Sequence, residues 1–184
     1  VNAEGEPPVT LAVCDVDRKR LEAALAKAGR SCDGYADFRR VLDRKDIDTI
    51  HIATTTHWHG LIAIAAANAG FDILCEKPLT RTVAEGQALA EAVRRNGRIL
   101  QVGTFSRFQN YQKFGSSKQL RKIVAGGLLG SPLTVRVSKA QGFNWKVRIW
   151  SGKTDLPAMP VPEELDYDMW LGPAPFKPYS RHRR

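Results

Sequence analysis

The 184-residue sequence has 15 glycines but contains no Gly-x-Gly anywhere. A phosphate-binding loop of the form G-x-G-x-x-G is therefore absent from it. It has three cysteines, Cys14, Cys32 and Cys75, and none stands in a C-x-x-C pair. That excludes a disulfide scaffold and cysteine-rich metal modules, and isolated thiols of this kind fit a reducing compartment. No apolar run approaches the roughly 18 residues of a membrane-spanning helix. There is no internal repeat and no low-complexity tract. The chain opens on Val1 with no apolar signal core, so no export signal is visible; a signal removed or lying upstream would leave the same start. The expected location is the cytoplasm, with the periplasm as the alternative.

What is present describes a globular chain, 43% hydrophobic and 26% charged. The net charge is +9 and is unevenly spread. Residues 1–105 carry 14 basic and 14 acidic side chains, and residues 106–184 carry 14 basic and 5 acidic. A basic half can serve an anionic ligand or be a plain solvated surface. No nucleic-acid motif accompanies the charge, so no nucleic-acid partner is expected, and no membrane partner either.

Along the first 105 residues, apolar runs alternate with helical patterns. Residues 10–16 read as a strand buried on both faces and ending in an acid. Asp17 caps a helix over 18–28 that Gly29 closes. A second helical pattern covers 36–44, with Phe38, Val41 and Leu42 on one face. Strands follow at 48–53, 71–75 and 98–103, with helices at 58–69 and 82–95 between them. This order predicts repeated βαβ units and a parallel, doubly wound α/β sheet. Ligands in such sheets sit beyond the carboxyl ends of the strands. After residue 105 the pattern changes. A helix is expected over about 109–125 and a half-solvated strand over 133–138. From 150 on, prolines and glycines read as loop or extended chain.

The acid that ends the second strand of a dinucleotide fold follows the glycine loop by about 20 residues, and Asp15 has only 14 residues before it. The sheet is therefore expected to lack its first strand. The domain reading is 1–105 for the parallel sheet and 106–184 for the start of a second domain.

Attention falls on the residues just past each strand. A carboxylate at Asp15 can accept hydrogen bonds from a ribose diol and would repel a 2′-phosphate. That favours NAD over NADP, with Arg18 able to soften the preference; Asp15 could equally be no more than the first residue of a loop. Thr54-Thr-Thr-His-Trp-His59 offers hydroxyls and helix-start amides to phosphate or ribose oxygens, and could equally be an ordinary cap. His57 and His59 are two apart, which is not a helical metal pair, and no metal site is expected. In Glu76-Lys77-Pro78, the proline keeps Lys77 extended at the ligand mouth. An ammonium there can hydrogen-bond a carbinol or carbonyl oxygen.

Taken in order, Cys14-Asp-Val-Asp17, Ile52-Ala-Thr-Thr-Thr-His-Trp-His59, Cys75-Glu-Lys-Pro-Leu-Thr80 and Gln101-Val-Gly-Thr104 resemble the Gfo/Idh/MocA oxidoreductases. Asp166-Tyr-Asp-Met-Trp-Leu-Gly-Pro-Ala-Pro175 is similar to a segment of their sugar-related members. The resemblance implies a Rossmann domain followed by an open-sheet α+β domain that often forms an oligomer interface. It implies that Asp15 holds the adenosine ribose, that Thr54, Thr55, His57 and His59 line the dinucleotide, and that Glu76 and Lys77 sit by the nicotinamide, with Lys77 touching substrate. The family's acid/base histidine is expected beyond residue 184.

The implied activity is hydride transfer between NAD, or alternatively NADP, and a carbinol carbon of a sugar or cyclitol, by a homo-oligomer when full length. Two alternatives remain at this point. One is an NAD-dependent glycoside hydrolase, against which Lys77 counts. The other is a non-catalytic dinucleotide-binding fragment.

Overall fold

The computed structural model describes residues 8–29, 31–104, 117–134, 136 and 156–181. The first strand, β1 (Ala12–Cys14), leads into helix α1 (Arg18–Ala28). Asp17 caps that helix, accepting from the amides of Lys19 and Arg20 at 2.9 and 3.2 Å. Gly29, at φ +96°, ends it where a side chain would be strained. A three-residue strand that the periodicity does not predict, β2 (Asp33–Tyr35), runs parallel to β1. The short helix α2 (Phe38–Leu42) follows, capped by Asp37.

Next come β3 (Thr49–Ile52), α3 (Thr56–Asn68), β4 (Asp72–Glu76), α4 (Val83–Arg95) and β5 (Leu100–Gly103). The start of α4 is fixed reciprocally. Thr82 Oγ1 accepts from the Glu85 amide, and the Glu85 carboxylate reaches back to the Arg81 amide. Every ladder is parallel, as the alternation predicts, and the strands form two sheets, β1–β2 and β3–β4–β5. Among the described residues, the outer edges of β1 and β3 carry no ladder partner. The single sheet expected from the alternation is thus found, among the described residues, as two parallel sheets.

The main core lies between the second sheet and its helices. Ile52, Ile73 and Cys75 of the sheet pack against Ile62, Ala63, Ala66 and Ala67 of α3 and Leu89 and Ala92 of α4. The alanine face of α3 lets the two helices approach closely. Burial pushes the Cys75 thiol up to about 11, with the Glu76 carboxylate adding to the effect.

Residues 156–181 belong to the same compact unit as residues up to Gly103. They are mostly extended chain, as their proline content suggested, with one short helix. Asp166 caps a five-residue helix, α6 (Tyr167–Leu171, numbered after α5 below). This strap joins the chain after β1 through an antiparallel bridge, Asp17 to Leu165. Arg18 N–H donates to Glu164 O at 2.8 Å, and Asp166 N–H donates to Val16 O at 2.9 Å. A second small core of Leu165, Tyr167 and Tyr179 closes over Val16.

The remaining unit contains α5 (Ser117–Ala125) and the glycine turns after it. The first part of the helix expected at 109–125 and half of the strand expected at 133–138 lie outside the described residues. No helix among the described residues is long and apolar enough to cross a membrane.

Candidate active site

Parallel strands deliver their carboxyl ends to one edge, and the turns there hold most of the singled-out residues. After β3, Thr54 and Thr55 lead into α3. Thr55 is the N-cap but makes no side-chain cap, and no acid stands in the first turn. The positive end of this 13-residue helix is therefore left for an anion. After β4, Glu76 and Lys77 reach the same edge. Lys77 is exposed. Glu76 is half-buried, with its carboxylate lying over Gly103 of β5, where an added Cβ would come within 2.8–2.9 Å of it.

Thr54, Thr55, Thr56, His57, His59, Glu76, Lys77 and Trp170 surround a cleft of about 520 Å³. A neighbouring cleft of about 410 Å³ holds Asp15, Arg20, Trp58 and Met169. Thr54, Thr55 and Trp170 border both. The two clefts therefore share a wall, with Asp15 beside one and Lys77 beside the other.

Asp15 accepts the Asp17 amide at 2.8 Å, which orients its carboxylate. Partial burial, then the Asp37 and Asp15 carboxylates, push the neighbouring Cys14 thiol up to about 12. Among the described residues, the cleft beside Asp15 is lined by Arg20 and not by Arg18. Arg20 pairs with Asp17 at 3.7 Å, whereas Arg18 pairs with Glu22 one turn along α1.

The histidines divide by role. His59 is only 2% exposed. Its Nδ1 lies 2.7 Å from Pro78 O and its Nε2 lies 2.9 Å from Thr54 O, so the ring sits between the two strand-end turns and, as a neutral imidazole, donates to one of these carbonyls. His57 borders the cleft, with Nε2 at 2.9 Å from Trp170 O. A carbonyl only accepts, so Nε2 carries the proton. His51 lies 3.8 Å from Glu76 across the exposed side of the sheet.

Sequence reasoning missed Trp58, Met169 and Trp170. The available signal was a run of large apolar side chains, Tyr167 to Leu171, between an Asp cap and a glycine. Such a run inside a proline-rich stretch calls for a surface to bury it. Gly172 is needed twice over. It sits at φ +51° and ψ −127°, where other residues are strained. Its missing Cβ also leaves room for the Trp58 ring. Gly172→Ala is expected to cost about 1–3 kcal/mol through overpacking and strain, read as earlier thermal unfolding. An unchanged melting temperature would remove that contact from the account.

Parallel strands with a polar cleft beyond their carboxyl ends define an α/β protein with its ligand site at that edge. The comparisons make the class specific. Residues 3–104 match the family described as "Oxidoreductase family, NAD-binding Rossmann fold". Residues 115–184 match its "C-terminal alpha/beta domain". The chain belongs to this Gfo/Idh/MocA oxidoreductase family.

Inositol 2-dehydrogenase of Salmonella typhimurium is 35% identical over 126 residues, covering 68% of this chain and 36% of that protein. The solved myo-inositol 2-dehydrogenase from Lactobacillus plantarum is 30% identical, with a TM-score of 0.58 over 65% of this chain and 34% of that one. A levoglucosan dehydrogenase solved in complex with NADH and levoglucosan is 32% identical, with a TM-score of 0.55 over 67% and 32% of the two chains. The chain thus spans about a third of the length of these relatives.

Proposed function

We propose that this chain is the coenzyme-binding part of an NAD-dependent dehydrogenase acting on a carbinol carbon of a sugar or cyclitol. One observation carries the reading: the paired clefts along the strand ends, with a carboxylate beside one and an ammonium beside the other. The relatives named for inositol and levoglucosan supply the substrate class, and the one solved with NADH supplies the coenzyme.

The residues present suit such a coenzyme. Asp15 would accept the adenosine ribose hydroxyls. Thr54, Thr55 and the uncapped start of α3 would face the phosphate and ribose oxygens. Glu76 and Lys77 would border the nicotinamide end. When bound, the nicotinamide ring supplies the hydride chemistry. Lys77 would donate a hydrogen bond to the substrate oxygen and stabilise charge growing on it. His59 would hold the Thr54 and Pro78 turns at a fixed spacing. Arg20 leaves room for NADP as a weaker second coenzyme. The free thiols Cys14, Cys32 and Cys75 fit a cytoplasmic protein.

The test is a fluorescence titration of the full-length protein with NADH, followed by turnover of NAD with myo-inositol and levoglucosan. Saturable NADH binding and NADH production are expected. A full-length protein that binds no NADH would end this reading.

A further inference from the structure

The last carbonyls of a helix have no partner within it, and α6 is only five residues long. Two of its carbonyls are taken by side chains from α3, more than 110 residues earlier in the chain. Trp58 Nε1–H donates to Met169 O at 2.9 Å. His57 Nε2–H donates to Trp170 O at 2.9 Å. Two adjacent side chains on the first turn of α3 thus grip two adjacent carbonyls of the strap. The rings reinforce the grip. His57 meets the Trp170 indole edge-on at 6.1 Å, and Trp58 packs edge-on against Phe38 at 5.6 Å. The Trp170 ring stacks on Tyr167, with centroids 5.7 Å apart.

This clamp places Trp170 on the wall common to both clefts. If a dinucleotide extends from Asp15 to Lys77, it must pass that residue. An indole offers a broad apolar face at little conformational cost, suited to a ribose or a heteroaromatic ring.

We propose that Trp170 contacts the bound coenzyme, and that His57 and Trp58 are positioning residues acting through the strap and not ligand contacts themselves. This rests on the reading of the site as an NAD site. It gives His57, which borders the cleft, the role of holding Trp170.

The experiment measures NADH dissociation constants on the full-length protein, with melting temperatures recorded beside them. Trp170→Ala should weaken NADH about tenfold, the scale of one lost aromatic contact. His57→Ala and Trp58→Phe should each weaken it severalfold, and His57→Gln, which keeps a side-chain N–H donor, should recover most of the loss. In the Trp170→Ala background, His57→Ala and Trp58→Phe should change NADH affinity no further. Should Trp170→Ala melt early, Trp170→Leu gives the same readings with less lost volume.

Unchanged affinity on replacing Trp170 would overturn the proposal. Full additivity of His57→Ala with the Trp170 change would also overturn it, by showing that His57 touches the ligand itself. A wild-type protein that binds no NADH would sink the earlier reading instead, and so the two failures can be told apart.

Discussion

Replacing Lys77 by Met in the full-length protein is expected to lower kcat by about 100-fold to 10,000-fold. NADH affinity should change by less than about threefold, because an exposed ammonium adds little to binding in water. The asymmetry follows from position. Lys77 stands on the turn after β4, held by a strand buried in the core and by the Pro78 carbonyl that His59 grips. A cation fixed there acts on charge that develops only as the substrate oxygen changes its bonding. Methionine keeps the length and the apolar stem but removes the donor. Single-turnover rates of NADH formation, compared with NADH titration, separate the two effects. Equal rates in variant and wild type would remove Lys77 from the chemistry.

The second large effect is on the coenzyme. Asp15→Ala is expected to weaken NADH by about 10-fold to 100-fold, the scale of lost hydrogen bonds to a charged acceptor. It should also narrow the preference for NADH over NADPH. The carboxylates of Asp15 and Asp37 both raise the neighbouring Cys14 thiol, after burial as the larger cause. Removing one leaves Arg20 less opposed and a 2′-phosphate less repelled. Parallel titrations with both coenzymes check this. A variant that loses affinity for neither would place the adenosine elsewhere.

The alternation of strands and helices through residue 103 was legible because it is written in local terms. Asp17 and Gly29 mark the ends of α1 at the positions found. The buried strand cores, such as Ile73 and Cys75, follow the period of a sheet. The strand Asp33–Tyr35 was not legible. It is three residues long and has a glycine at its centre, and its pairing with β1 is what makes it a strand. The strap was read as loop or extended chain, and its short helix was not legible for a related reason. Its prolines are real breaks, but its five-residue helix and its aromatic side chains are stabilised by surfaces far away in sequence.

The candidate site shows the same division. Thr54, Thr55, Glu76 and Lys77 could be picked out as strand-end residues, because a parallel sheet sends all its carboxyl ends to one edge. Asp15 could be picked out in the same way. That the Asp15 and Lys77 clefts share a wall depends on how two separate sheets and the strap come together. That His59 sits between two carbonyls, and that Arg20 and not Arg18 lines the Asp15 cleft, depends on side-chain packing.

The sequence by itself determined the order of elements, their caps and the set of polar residues brought to the strand ends. Those properties depend on neighbours a few residues apart. Only the tertiary structure decided that Trp170 joins them, that Gly172 must lack a side chain and that two α3 side chains hold the strap. Those contacts join residues more than 110 positions apart, and no periodic pattern in a chain encodes which distant surface will bury a given side chain.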